Sequence, residues 1–420
     1  MSLQKPMQLI RENNRSLNIR HLRILPVIFG MLVCMSSAAQ VQELYLKGTA
    51  LMNQGEHAEA RLLFEKVIDY DEDNQEALLR LAEIHQQAGN KPSALNYLDK
   101  LEKNAPGKGS YLKARIFALS GNAAEAVKYL EIHLNSEYRL PPSKILLDNA
   151  FSEIENSPEW RRLWSQNWYT ADEELLQEIL YLTGSAEYLQ ALEIIDAGIL
   201  EKGDWDALHA SRGKVLHEMG QFQASIQSYN RAIEISSSQS DYFYGRAESY
   251  LALEKYKKAI EDLERAYRLK SENLELLMEI GLAYQKEGRF NKAIDYMDTY
   301  LGYYPSDTEA RYLIGQIHFE AGQYLDALGQ YNKCLKVETG DPRFFKARGK
   351  TYIKTKTLRY ALNDLGMALD LDPEDEDLWY LKGQVRWSMN EREGAIRDWE
   401  HAARLGSFEA ARMLEENTSR

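Results

Sequence analysis

The stretch "GLAYQKEGRFNKAIDYMDTYLGYYPSDTEARYLIG", residues 281–315, begins and ends on glycines that are 34 residues apart. Within it, Gly288 separates two segments whose apolar residues recur at helical spacing, and Pro305 follows the second segment. Glycine readily adopts the conformation that ends a helix, whereas proline cannot continue one. The stretch therefore predicts a helix, a tight turn, a second helix and then a loop before the next unit begins.

The same 34-residue period extends through the C-terminal two-thirds of the chain without insertion or deletion. One column of small residues consists of Ala191, Ser225, Ala259, Ala293, Ala327, Ala361 and Ala395. A second small column consists of Gly213, Ala247, Gly281, Gly315, Gly349 and Gly383. Two helices approach closely only where a small residue on one faces a large residue on the other. The two columns therefore predict one closely packed helix pair per unit.

This spacing and chemistry resemble the tetratricopeptide repeat, a helix–turn–helix unit of 34 residues. The resemblance covers residues 41–134, as an N-terminal array, and residues 172–405, as a C-terminal array. It implies an all-α fold, an α-α superhelical solenoid of about ten repeats. Residues 406–420 are expected to form a capping helix and tail, because the end of an array exposes an apolar face. The residues expected to cover that face are Phe408, Ala411 and Leu414.

The segment between the arrays, residues 135–171, carries a cluster of tryptophans. Residues 143–154 are predicted to form one amphipathic helix, and Ser157 followed by Pro158 predicts the start of another. The apolar stripe expected on this second helix consists of Trp160, Leu163, Trp164 and Trp168. Two interpretations follow. The tryptophans either fill a structural joint or, together with Trp205, form a surface that stacks sugars in a carbohydrate-binding accessory protein.

The first 39 residues have the pattern of a secretory signal, with five basic residues and one acid ahead of a short apolar run. We expect cleavage after Ala39 and export to the periplasm or the outer membrane of a bacterium. The apolar run is too short for a spanning helix, which needs about 20 residues. A lipid anchor on Cys34 is the alternative, although Val33 stands where a small residue normally precedes the cysteine.

The formal net charge of −13 becomes −17 once this segment is removed. An acidic chain argues against nucleic acid as a partner, because phosphates require a basic surface. No His, Cys or carboxylate pattern of a metal site or a catalytic centre is present, so we expect neither enzyme activity nor a cofactor. Cys334 falls in a small-residue position and is predicted to be a buried, inert thiol.

The resemblance also implies that the first helix of each repeat lines a concave face that binds a protein or peptide. The residues expected to bind the partner there are Tyr244, Leu251, Met278, Tyr312, Phe319, Arg343, Lys346, Lys350, Lys354, Tyr380 and Trp387. The four cations lie on one helix. They are either a solvated surface or the cationic end of a groove for acidic residues or a C-terminal carboxylate. The asparagines of the carboxylate clamp found in chaperone-binding members are absent. The sequence thus predicts a non-enzymatic interaction scaffold of the bacterial cell envelope.

Overall fold

A computed structural model describes the backbone of residues 24–418 and the side chains of residues 38–417. All regular secondary structure in this described part of the chain is helical. The chain divides into two compact units, Met1–Thr170 and Ala171–Arg420. The all-α fold expected from the repeat pattern is confirmed.

The first unit contains three helix pairs followed by a short irregular segment. Its helices are α1 (Ile24–Asn53), α2 (His57–Tyr70), α3 (Gln75–Gln87), α4 (Lys91–Asn104), α5 (Ser110–Ala118), α6 (Ala123–Leu134), α7 (Pro142–Leu146) and α8 (Pro158–Trp164). Helix α1 packs on α2, α3 on α4 and α5 on α6. A small residue of each second helix, Ala60, Ala94 or Ala126, is completely buried in its pair.

The second unit contains seven consecutive helix pairs and a final single helix. Its helices are α9 (Ala171–Gly184), α10 (Tyr188–Lys202), α11 (Asp206–Glu218), α12 (Phe222–Ile235), α13 (Ser240–Ala252), α14 (Tyr256–Leu269), α15 (Glu275–Lys286), α16 (Phe290–Tyr303), α17 (Thr308–Glu320), α18 (Tyr324–Val337), α19 (Pro342–Lys354), α20 (Leu358–Leu371), α21 (Glu376–Ser388), α22 (Arg392–Leu405) and α23 (Phe408–Thr418). Helix α11 contacts both α9 and α13, and α17 contacts α19. The first helices of successive repeats therefore lie side by side.

The small-residue columns occupy the closest contacts of the helix pairs, as predicted. All seven residues of the column that runs from Ala191 to Ala395 are fully buried. A Cβ atom added at Gly315 would lie 2.4 Å from the ring of Tyr331, and one at Gly383 would lie 2.4 Å from the ring of Trp399. These distances are far shorter than any carbon–carbon contact, so only glycine allows the pairs to close.

The prediction of one helix over residues 143–154 is wrong. Helix α7 ends at Leu146, and a separate 3₁₀ turn follows at Asn149–Phe151. The side chain of Asp148 accepts a hydrogen bond from the backbone N–H of Ala150, which starts the new turn. Leu147 is 81% exposed, whereas Ile145 is buried, so the apolar residues do not form one continuous face.

The tryptophan cluster is built as predicted at its start and differently at its end. Ser157 caps α8 by accepting a hydrogen bond from the N–H of Trp160. The helix ends at Trp164, so Trp168 lies beyond it and is not part of a helical stripe. Its indole N–H instead donates to the carbonyl of Leu163 at 2.7 Å. Trp160 is 7% exposed and packs with Leu163 on α5 and α6, in the last repeat of the first unit.

The end of the second unit is covered by α23, but the face it uses differs from the prediction. Phe408 is 77% exposed, because it is the first residue of the helix, directly after the capping Ser407. The residues that pack against Trp399 and Ala402 are Ala410, Met413 and Leu414.

Residues 1–23, and the side chains up to residue 37, lie outside the described part of the chain. The secretory signal, the cleavage after Ala39 and the lipid anchor on Cys34 therefore stay predictions. Among the described helices, none combines the length and the apolar character required to cross a membrane.

Candidate functional site

Five of the predicted partner-binding residues come together in one open groove of about 640 Å³. They are Tyr312, Phe319, Arg343, Lys346 and Lys350. The walls are the first helices of three consecutive repeats, α15, α17 and α19, and Tyr331 of α18 contributes to the lining. We call this the lysine groove. It exists because first helices lie side by side while the second helices pack behind them.

The aromatic wall of the lysine groove is held in place by ring contacts. The ring centroid of Tyr312 lies 5.4 Å from that of Phe344 and 6.0 Å from that of Tyr331. The amide of Gln316 donates to the Tyr312 hydroxyl at 2.9 Å. Phe319 packs edge-on against Tyr324. The wall is therefore positioned before any partner arrives, which reduces the entropy lost on binding.

The two lysines of this groove already have anionic partners within the chain. The ammonium of Lys346 lies 2.7 Å from Asp375 and 3.0 Å from Asp377, and that of Lys350 lies 2.9 Å from Asp377. Burial acts to lower the pKa of Lys346, but the hydrogen bonds from both carboxylates outweigh it, so the pKa is raised. Burial acts to raise the pKa of Asp377, and the two lysines reverse this effect. The pairs are charged and mutually compensated.

The guanidinium of Arg343 is likewise paired, at 2.7 Å with Asp341 and 2.9 Å with Glu309. An acidic partner in the lysine groove would therefore compete with carboxylates of the protein. The sequence pattern of cations on α19 did not reveal these partners, because they lie on neighbouring repeats.

The other predicted residues are not part of the lysine groove. Leu251 and Met278 are half-buried, and Lys354 is exposed at the end of α19. Tyr380 and Trp387 pack against the buried Trp399 in the last repeat. Their rings contribute to the stability of that repeat as well as to its surface.

Tyr244 lines a second groove, of about 510 Å³, formed by α9, α11 and α13 with Tyr229 of α12. Its acidic lining residues are Glu218, Asp241 and Glu248. We call this the acidic groove. Sequence reasoning identified only Tyr244 here, although the same 34-residue register would have located the whole groove.

The described residues offer no arrangement that suggests catalysis. Cys334 is fully buried, and burial raises the pKa of its thiol to about 11, which confirms an inert cysteine. Ser249 lies 2.9 Å from Nδ1 of His217, but its hydroxyl is fully buried and also contacts Ser225. This network joins helices and is closed to substrate. Trp205 is half-buried and packs in the α9–α11 cluster.

Comparisons with known proteins agree with the repeat pattern. Family models described as tetratricopeptide repeats match residues 51–116, 213–254 and 278–338. A model described as YpiA-like C-terminal tetratricopeptide repeats matches residues 241–307.

Curated relatives share low identity over part of their length. DnaJ homolog subfamily C member 3 of Homo sapiens is 23% identical over 212 residues, covering 47% of this chain and 42% of that protein. Hsp70-Hsp90 organizing protein 2 of Arabidopsis thaliana is 26% identical over 227 residues, covering 45% of this chain and 39% of that protein. The chain thus spans less than half the length of these relatives.

A solved structure of the C-terminal part of a TPR repeat-containing protein from Cytophaga hutchinsonii is 15% identical. It covers 56% of this chain and 98% of its own length, with a TM-score of 0.49.

Proposed function

Since this chain belongs to the tetratricopeptide-repeat superfamily, we propose that it is a non-enzymatic scaffold that binds a protein or peptide partner along its first helices. The observation that carries the proposal is the convergence of Tyr312, Phe319 and three cations on one preformed groove. A groove of about 640 Å³ that combines aromatic surface with a few polar groups has the size and chemistry of a recognition site.

The names of the relatives support the coarse part of this proposal. The Arabidopsis relative is named as a protein that organizes Hsp70 and Hsp90, which are themselves proteins. Its repeats align with about half of this chain, so the proposal extends to holding a partner and not to the identity of that partner.

The lysine groove is tested with a partner first identified by crosslinking and mass spectrometry in the native host. Its affinity is then measured with the double variant Lys346→Gln, Lys350→Gln. Neutral glutamine is preferred to glutamate, because a negative charge beside Asp377 would add like-charge repulsion between two repeats. We expect a loss of at least about tenfold in affinity with unchanged helicity.

The matched control is Lys100→Gln with Lys103→Gln, which alters two exposed lysines of the first unit. Equal affinity of all three proteins would place the binding surface elsewhere and overturn the proposal.

We further propose that the scaffold works in the bacterial cell envelope, on the basis of the signal-like residues 1–39. N-terminal sequencing of the protein from its native host should then begin at Gln40. An intact Met1 in a cytoplasmic fraction would contradict export.

A further inference from the structure

The two grooves of the second unit are equivalent positions of the repeat, separated by three repeat lengths. Tyr229 of the acidic groove corresponds to Tyr331 of the lysine groove, 102 residues later. In the same register, Glu248 stands where the lysine groove has Lys350. The equivalent site has therefore changed the sign of its charge while its architecture is kept.

The carboxylates of the acidic groove have no compensating cations comparable to those of the lysine groove. Where the lysine groove has Asp377 beside its lysines, the equivalent residue near the acidic groove is Glu275, which is another acid. Within the described chain, Glu218, Asp241 and Glu248 make no ion pair with a lysine or arginine. The one lysine in the lining, Lys214, is exposed.

The surroundings of Glu248 show the same imbalance. Burial is the main cause that raises the pKa of Glu248, and the nearby carboxylate of Glu218 adds to it. His217 and Lys214 act in the opposite direction without reversing the shift. Glu279 behaves in the same way, with burial first and repulsion from Glu248 among the further causes. A cation entering this groove would relieve the repulsion.

A buried hydroxyl in the lining is also without a partner. Tyr229 is only 6% exposed, and its hydroxyl makes no hydrogen bond with any described residue. It lines the groove beside Tyr242 and Tyr244. Buried polar groups are normally hydrogen-bonded, so an unsatisfied hydroxyl at the bottom of an open groove points to an occupant that supplies the missing partner.

We propose that the acidic groove binds a basic segment of a partner protein, with an arginine or lysine side chain seated among Glu218, Glu248 and Tyr229. The N–H groups of this cation donate to the two carboxylates and to the Tyr229 hydroxyl oxygen. Its aliphatic stem and its charge suit the tyrosine faces of the lining. The inference rests on the proposed function, since it assumes that the first helices hold a partner segment.

The test is selection of displayed random peptides on the full-length protein. The peptides that wild type enriches should contain arginine or lysine more often than the starting library. The best of them is then synthesised, together with a copy in which the basic residue is glutamine, and both affinities are measured. We expect the glutamine copy to bind about tenfold more weakly, and binding of the basic peptide to fall with added salt.

Two variants locate the site. Glu218→Gln with Glu248→Gln removes the charge, and Tyr229→Phe removes only the hydroxyl. Each should weaken the basic peptide, by about tenfold or more for the first. The register-equivalent changes in the lysine groove, Lys350→Gln and Tyr331→Phe, should leave it unchanged. Circular dichroism of each variant checks that the helices remain.

Each outcome is decisive. Enrichment of peptides without basic residues overturns this inference and leaves the proposed function standing. Basic peptides that bind the acidic-groove variants as well as wild type also overturn it, because their site is elsewhere. If no peptide is enriched on wild type, the proposed function fails and the inference fails with it.

Discussion

Gly315→Ala is expected to weaken the helix pair α17–α18 through a single methyl group. The added Cβ would lie 2.4 Å from Cε1 of Tyr331, whose ring is 2% exposed and cannot swing into solvent. Overpacking of this kind costs about 1–3 kcal/mol. The same substitution gains about 1 kcal/mol of helix propensity. The propensity gain alone is expected at Gly329, inside α18, where no atom lies within 4 Å of the added Cβ.

The measured quantity is the difference between these two alanine variants in local free energy of opening. Hydrogen exchange of peptides from α17 and α18 reports it, because repeat arrays open in parts and a global melt averages over them. We expect Gly315→Ala to be less stable than Gly329→Ala by about 1–3 kcal/mol.

Two further glycines grade the effect. At Gly281 the added Cβ would lie 2.8 Å from Cγ of Met297, a flexible side chain that can move, so the cost should be smaller. At Gly349 the nearest atom is Leu365 at 3.4 Å, an ordinary contact, and alanine should be tolerated. Equal stability of all four variants would refute the reasoning that close approach requires glycine in this column.

Trp160→Ala should cost about 3–5 kcal/mol in the first unit, because the ring is 7% exposed, whereas exposed Leu147→Ala should cost little; equal melting temperatures would show that the cluster is not a core. Arg348→Met should cost about 3–5 kcal/mol by leaving the buried carboxylate of Asp364 without its partner at 2.7 Å, and adding Asp364→Leu should recover most of it. A double variant no better than Arg348→Met, in chemical denaturation, would contradict this. Burial lowers the pKa of His133 from 6.5 to about 4. The unfolded chain therefore binds more protons between these values, and the first unit should lose stability as pH falls from about 6.5 towards 4. Comparison with His133→Asn isolates this loss from that of the carboxylates, and identical pH slopes would rule it out.

The repeat fold could be predicted because its physical requirement recurs. Each helix pair needs a small residue at its closest contact, and seven copies of the column from Ala191 to Ala395 repeat that requirement at one spacing. The junction lacks such repetition. There, one side-chain hydrogen bond from Asp148 begins a new turn, and an amphipathic pattern cannot weigh a single local bond against helix continuation.

The grooves could be predicted in position and not in charge. Lys346 and Lys350 are one helical turn apart and look like an uncompensated cationic surface in the sequence. Their partners, Asp375 and Asp377, come 27 to 29 residues later along the chain and reach them only because consecutive repeats pack together. The unsatisfied hydroxyl of Tyr229 is likewise visible only in three dimensions, since in sequence it is one more large residue of a packing column.

The most direct test of the account is to ask which surface touches the partner in the native host. A photo-crosslinking amino acid is introduced in place of Phe319, in the wall of the lysine groove, and separately in place of Leu325, a 79% exposed residue of α18 outside both grooves. The account predicts a protein adduct, identified by mass spectrometry, from position 319 and none from position 325. Adducts from position 325 alone would contradict it.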